Sequence, residues 1–237
     1  MNSETINNYE FIKFEHDDAV IVFSTAKNGL NFNKNCDEGL INLKKIKAYY
    51  NLQDIGYLNQ IHSDNIFEFN GEIRDGDALI TDKRNLAIGI FTADCVPVIL
   101  VDSKASVIAA IHSGWKGTKL MIVSKTIEKL KENYGSRMKD IRAYIGPHIG
   151  GCCYEVSSEL IEEFTSQAIY SNIKISNNNR LDLEKCILAQ LKEKNIKEEN
   201  ISTTKICTAC NKEHDLYSYR FSENKQGRMF SFVYLNQ

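Results

Sequence analysis

Cys95, His62 and His112 are the residues of this chain best suited to do chemistry. Cys95 lies in FTADCVPVIL, His112 closes VIAAIHS, and His62 lies upstream in NQIHSDNIFEF. Each borders an apolar run of strand type. A thiol attacks or binds a metal as thiolate, and it needs a positive partner or a metal to become one. One thiol and two imidazoles therefore suit two kinds of site. Cys95 and His112 could form a catalytic pair of nucleophile and base. The three could equally hold one metal ion with a fourth position open. The residues alone leave both open, beside the plain alternative of a buried cysteine that packs as a small hydrophobe.

The neighbours of these residues have roles of their own to offer. In HSGWKGT, Gly114 and Gly117 permit close backbone approach, and Lys116 adds charge to a turn entering a helix, which together suit an anion. A plain strand-to-helix turn with a packed Trp115 fits the same letters. Asp77 in RDGDALIT is either a partner that orients a ligand histidine or a turn aspartate. Arg220 and Arg228 sit beside aromatics, where a guanidinium can hold a phosphate or stack on a base; surface ion pairing is the reading their sequence favours. CTAC (207–210) is a lone CxxC with His214 close behind, so free thiols are favoured over an accessory metal site. Adjacent Cys152 and Cys153 read as packing residues, and Cys36 and Cys186 as helix-associated cysteines. His148 reads as a loop residue near the cleft and His16 as exposed.

Those residues must be positioned by the surrounding elements. YEFIKFEH, a polar Asp17-Asp18 turn and AVIVFST predict a β-pair. Leu40, Leu43, Ile46 and Tyr50 recur at helical spacing. Strands are expected at 65–69, 78–81, 86–93, 96–101 and 107–112. A helix is expected over 118–134, with Leu120, Val123, Ile127, Leu130 and Tyr134 as its apolar stripe and Gly135 as its stop. A strand at 141–145, helices from SSELIEEFTSQA and over about 182–194, a strand at 203–207 and a last strand in GRMFSFVYL complete the pattern. Strands and helices alternate without repeats or a long linker, so one α/β or α+β domain over residues 1–237 is expected.

Composition narrows the function classes. The chain of 237 residues has a net charge of -2 with no basic block, which argues against a nucleic-acid footprint. No leader-like or membrane-spanning run occurs, so a cytoplasmic protein without a membrane partner is expected. Seven cysteines, an odd number at irregular spacing, favour free thiols or a metal over a disulfide framework.

Taken together, FST (23–25), NQIHSDNI, DGDALIT, TADCVPVIL, AAIHSGWKGT, YIGPHIGGCCYEV, CT, YSYR and GRM resemble, in order, the YfiH family. Its members were long called multicopper polyphenol oxidoreductases or laccase-domain proteins. The resemblance covers most of the chain. It implies a single-domain four-layer α/β/β/α sandwich with mixed sheets, akin to the catalytic domain of cytotoxic necrotising factor. It implies one metal, usually zinc, on His62, Cys95 and His112. It also implies phosphorolysis of purine nucleosides (adenosine, inosine, guanosine and methylthioadenosine) with adenosine deaminase activity, and the protein is expected to act as a monomer. Gly114, Lys116, Arg220 and Lys27 are the expected substrate contacts. Two positions depart from the family pattern. Lys27, in STAKNGL, stands in for an arginine that usually follows FST, and it lacks the bidentate fork. Lys116 likewise stands where arginine is usual.

The older oxidase label can be weighed on residue counts. A multicopper oxidase needs a blue-copper site and a trinuclear cluster held by paired histidines, whereas this chain has five histidines and no HxH pair. A single copper on the same three residues would still allow weak, laccase-like phenol oxidation. The HxE…PCxxC signature of zinc deaminases is missing too, so any deamination uses another layout. A metal-free Cys/His hydrolase and a non-enzymatic binding module are the remaining rivals.

Overall fold

A computed structural model describes residues 1–223 and 225–237 of the chain. In chain order, β1 (Asn2–Ile6), β2 (Tyr9–His16) and β3 (Ala19–Ser24) are followed by helix α1 (Asp37–Tyr49). Six strands come next: β4 (Asp54–Gly56), β5 (Ile66–Glu68), β6 (Ala78–Thr81), β7 (Leu86–Thr92), β8 (Val96–Asp102) and β9 (Val107–Ser113). Then come α2 (Trp115–Lys119), α3 (Ile122–Tyr134), β10 (Ile141–Ile145) and α4 (Ser158–Thr165). The short pair β11 (Ser176–Asn177) and β12 (Arg180–Leu181) precedes α5 (Leu183–Glu193), β13 (Ile201–Thr203) and β14 (Met229–Leu235). No helix among the described residues is long and apolar enough to cross a membrane.

The strands form two mixed six-stranded sheets, ordered β1-β2-β3-β14-β7-β4 and β13-β10-β8-β9-β6-β5. Three of the pairings, β4 with β7, β5 with β6 and β10 with β13, are parallel. The central strands carry near-continuous apolar runs because both of their faces are covered. Along β8, Val96, Val98 and Leu100 face one core cluster with α3 and α5, whereas Ile99 and Val101 enter a second cluster shared with Ile21, Ile88 and Ile90 of the other sheet. Along β9 the alternation repeats: Val107, Ala109 and Ile111 face the helices, and Ile108 and Ala110 face the other sheet. A third cluster packs Leu43 and Ile46 of α1 against Phe11, Phe230 and Phe232. Three apolar clusters thus hold the helices and the two sheets together, the second of them shared by both sheets.

Several expected elements are altered. The single helix expected over 118–134 is two, α2 and α3, because Met121 takes a left-handed conformation (φ 64°). Leu120, assigned to the apolar stripe, is exposed as a result. The strand expected at 203–207 runs instead over Ile201–Thr203, alongside β10. Strand β1, which the sequence reading did not foresee, pairs with β2 across Asn7 and Asn8, both at positive φ. Asparagine tolerates that region, and a two-residue hairpin turn demands it.

Candidate active site

The chain brings His62, Cys95 and His112 together at one end of the β8–β9 hairpin. Pro97 faces His112 across the antiparallel ladder, and Cys95 lies just before β8. The alternation that turns Ile108 and Ala110 towards the other sheet turns His112 the same way. His62 arrives from the loop between β4 and β5, with φ 59°. Its Nε2 is 3.8 Å from Cys95 Sγ, and its ring meets that of His112 edge-on, with centroids 4.8 Å apart. One ligand atom from each of the three lies within 4.8 Å of the others, so the trio could hold a metal ion.

A single carboxylate organises this trio. Asp77, fully buried, accepts hydrogen bonds from the backbone N–H of His62 (3.0 Å) and Ser63 (2.6 Å) and from Ser63 Oγ (2.7 Å). His112 Nδ1 donates to the same group at 2.7 Å, and His112 N–H donates to the Asp77 carbonyl at 2.7 Å. With its proton committed at Nδ1, the imidazole presents Nε2 to Cys95, the arrangement that fixes tautomer and orientation in histidine ligands. The alternative reading of Asp77 as a plain turn residue therefore falls away. Gln60 ties the His62 loop to β7 by exchanging 2.7 Å hydrogen bonds with both backbone groups of Phe91.

The electrostatics follow from that packing. Burial raises the Cys95 thiol, but the adjoining His112 and His62 rings outweigh it and hold the thiol below its ordinary range. Burial likewise lowers His112, yet Cys95 and Asp77 together push it well up. Asp77 is held down by His112 and Ser63 in spite of its burial. The thiolate, which is the form that binds a metal or attacks, is thus favoured at Cys95.

Above the trio opens a cavity of about 610 Å³. Phe91, Trp115, Tyr154 and Tyr219 supply aromatic faces to it, and Lys34, Arg220 and Arg228 supply positive charge. Arg220 lies over the Tyr154 ring at 4.9 Å, donates to the Glu155 carbonyl, and gives its backbone N–H to Asp94 Oδ2 at 2.8 Å. Asp94, at φ 92°, also accepts from Thr208 Oγ1 at 2.6 Å. It therefore fastens the Arg220 segment beside Cys95. Gly114 earns its place by absence of a side chain: a Cβ there would lie 3.0 Å from His62 Cδ2 and 3.1 Å from Cys95 Sγ.

Not every expected contact lies here. Of the expected substrate contacts, Arg220 is part of the cavity lining, and Gly114, Lys27 and Lys116 are not. Lys27 opens a short 3₁₀ turn, and Lys116 is exposed with its ammonium over the Trp115 ring. Lys116 thus stands on the exposed side of α2, apart from the cavity above the trio. Arg228, read as a surface residue, instead lines the cavity, as do Lys34 and Tyr219, which the sequence reading passed over. His148 is buried, with Nε2 3.3 Å from Glu184, and His16 is half-buried on β2. His214 pairs with Glu10 at 3.1 Å.

The fold and this trio define a class: α/β proteins of two mixed sheets with a Cys-His-His cluster at the open end of a hairpin within one of them. The family model described as multi-copper polyphenol oxidoreductase laccase matches residues 22–236. The chain belongs to that family, whose members include the YfiH and YlmD proteins. A purine nucleoside phosphorylase of Clostridium acetobutylicum is 49% identical over 98% of this chain and 99% of its own. A purine nucleoside phosphorylase of Aquifex aeolicus is 34% identical over 90% of this chain and 97% of its own. The crystal structure of the hypothetical protein YfiH from Bacillus licheniformis superposes with a TM-score of 0.86 at 27% identity, covering 97% of each chain.

Proposed function

We propose that this chain is a zinc-dependent purine nucleoside phosphorylase, converting adenosine, inosine, guanosine and methylthioadenosine to base and ribose-1-phosphate, with adenosine deaminase activity. The observation that carries the reading is the convergence of His62, Cys95 and His112 in a cavity that aromatic and cationic side chains also line. The phosphorylases named among its relatives support the same chemistry. The reading takes residues 1–237 as one catalytic domain on a four-layer α/β/β/α frame akin to the cytotoxic necrotising factor catalytic domain. It works as a cytoplasmic monomer on purine nucleosides and phosphate, without nucleic-acid or membrane partners.

The donor set fits zinc: one thiolate, two imidazoles, and a carboxylate behind one of them. Bound there, zinc would supply a Lewis acid that polarises phosphate or water oxygen. The chain's own residues do the rest. Asp77 keeps the proton of His112 on Nδ1 and holds the His62 loop in place. Phe91, Tyr154 and Tyr219 offer faces for a purine ring, and Arg220, Arg228 and Lys34 offer donors for phosphate. An oxocarbenium-like ribose requires phosphate on one face while the base departs from the other. A cavity that holds both guanidiniums and aromatic faces, with Arg220 over Tyr154 and Arg228 over Tyr219, offers groups for both partners of that reaction.

The test is product identification with inosine and adenosine, with and without phosphate, before and after metal depletion. Hypoxanthine release from inosine should require phosphate and fall at least about a hundredfold in Cys95→Ala, beyond the usual loss from an outer partner. Full phosphate-dependent release by Cys95→Ala would sink the assignment.

A second reading draws on one observation, the Cys95–His112–Asp77 chain of contacts, which has the order of a nucleophile, base and orienting acid. A metal-free hydrolase of this kind would keep its activity on metal depletion and lose it on alkylation of Cys95. Copper on the same trio would give phenol oxidation instead.

A further inference from the structure

The four cysteines that the site above leaves unused lie together. Cys152 and Cys153 sit in the turn after β10, and Cys207 and Cys210 in the CTAC turn after β13. Backbone pairing aligns the two turns: His148 N–H donates to Ile206 (3.1 Å), and Thr208 N–H returns to His148 (2.9 Å). All four sulfurs fall within 4.8 Å of one another, with Cys152 and Cys210 at 3.5 Å.

We propose that Cys152, Cys153, Cys207 and Cys210 bind a structural zinc ion, separate from the trio, that pins the wall of the cavity above the trio. A tetrahedral ZnS₄ site with bonds of about 2.3 Å has sulfur–sulfur edges of about 3.8 Å, which these sulfurs can meet with small adjustments. The 3.5 Å separation is a non-bonded one, and a bridge between adjacent Cys152 and Cys153 would be strained. The backbone N–H of Gly150 donates to Cys207 Sγ at 3.3 Å. A soft, all-sulfur tetrahedron selects zinc among common divalent ions.

The surroundings give such a staple something to hold. No helix or strand occurs from residue 204 to residue 228 among the described residues. Yet this stretch carries Thr208, which fixes Asp94, and Arg220, whose guanidinium rests on Tyr154 and Glu155 immediately after Cys153. The cluster thus ties two segments without regular structure at the point where both border the cavity. This proposal does not rest on the nucleoside reading.

Metal analysis of the full-length protein tests it, using wild type, Cys152→Ser/Cys210→Ser and His62→Ala. Wild type should hold about two zinc ions per chain, each variant about one, and the combined variant none. Cobalt substitution should give intense thiolate-to-metal charge-transfer bands in wild type and His62→Ala that Cys152→Ser/Cys210→Ser largely loses. Unchanged zinc content in Cys152→Ser/Cys210→Ser would overturn the proposal, as would iron in place of zinc. So would a wild-type mass lower by two hydrogens, with a disulfide mapped among these four. If the double variant does not fold, mercurial titration of native wild type decides. One equivalent of zinc must then be released in step with modification of these four cysteines, and loss of all zinc before their modification refutes the site.

Discussion

Two sulfur sites on one chain solve the same problem of bringing distant ligands together in opposite ways. The His62–Cys95–His112 trio is assembled by the core. Two of its members border the fully buried β8 and β9, and the third is held by a buried carboxylate that takes five hydrogen bonds. The four-cysteine cluster is assembled by loops, with Cys152 and Cys210 exposed. A site on strands keeps its geometry whether or not it is filled; a site on loops draws its order from what fills it. The two proposals accordingly assign chemistry to the first and scaffolding to the second.

That contrast can be broken at several points. Asp77→Asn strikes the core-built site at its organiser, and it should weaken zinc at the trio by about 10- to 100-fold, read by competition with a chelator. The loss should appear in affinity and activity while the four-cysteine site keeps its metal. Exhaustive chelation of wild type separates the two regions next. Backbone amides of β8 and β9 should exchange hydrogen at unchanged rates, whereas those of residues 150–154 and 207–210 should speed up about tenfold or more. Equal acceleration in both regions would erase the distinction. Arg220→Ala removes the side chain that both regions share. Its KM for phosphate should rise about tenfold, as for loss of a charge-assisted hydrogen bond, with a smaller change in kcat. Gly114→Ala sharpens the picture least but most locally. At φ -70° the backbone accepts alanine freely, so only the crowding of His62 and Cys95 remains, and activity should fall a few-fold with an unchanged melting temperature.

The sequence spoke clearly wherever burial enforces a pattern. Apolar runs placed β7, β8, β9 and β14 within a residue or two, because strands covered on both faces must be apolar throughout. The trio was legible because each member borders such a run. The polar edge strand β1 was missed for the opposite reason, since residues such as Ser3 and Thr5 bury little and leave no alternation to read. The Asn7-Asn8 turn was its one available signal. The helix expected over 118–134 hid its break because methionine carries no mark of a left-handed residue. The four-cysteine cluster was invisible for a topological reason. Its halves are 58 residues apart at Cys152 and Cys210, and they meet only because β10 and β13 run parallel. A CxxC and a CC pair become one group only after the sheet has been drawn. Likewise Lys34, Tyr219 and Arg228 sit in loops whose course no periodicity reports.

The hairpin of β8 and β9 has a kinetic meaning as well. Cys95 and His112 are close in sequence, and the ladder that joins them, from Val96 with Ser113 to Asp102 with Val107, closes over a four-residue connection. Contacts of such short range cost little loop entropy and form early. Two of the three members therefore emerge with the first hairpin of their sheet, on a microsecond scale for such an element. The His62 loop can dock only after Asp77 has entered the sheet beside β9, so the last ligand to arrive also certifies that β6 has found its register.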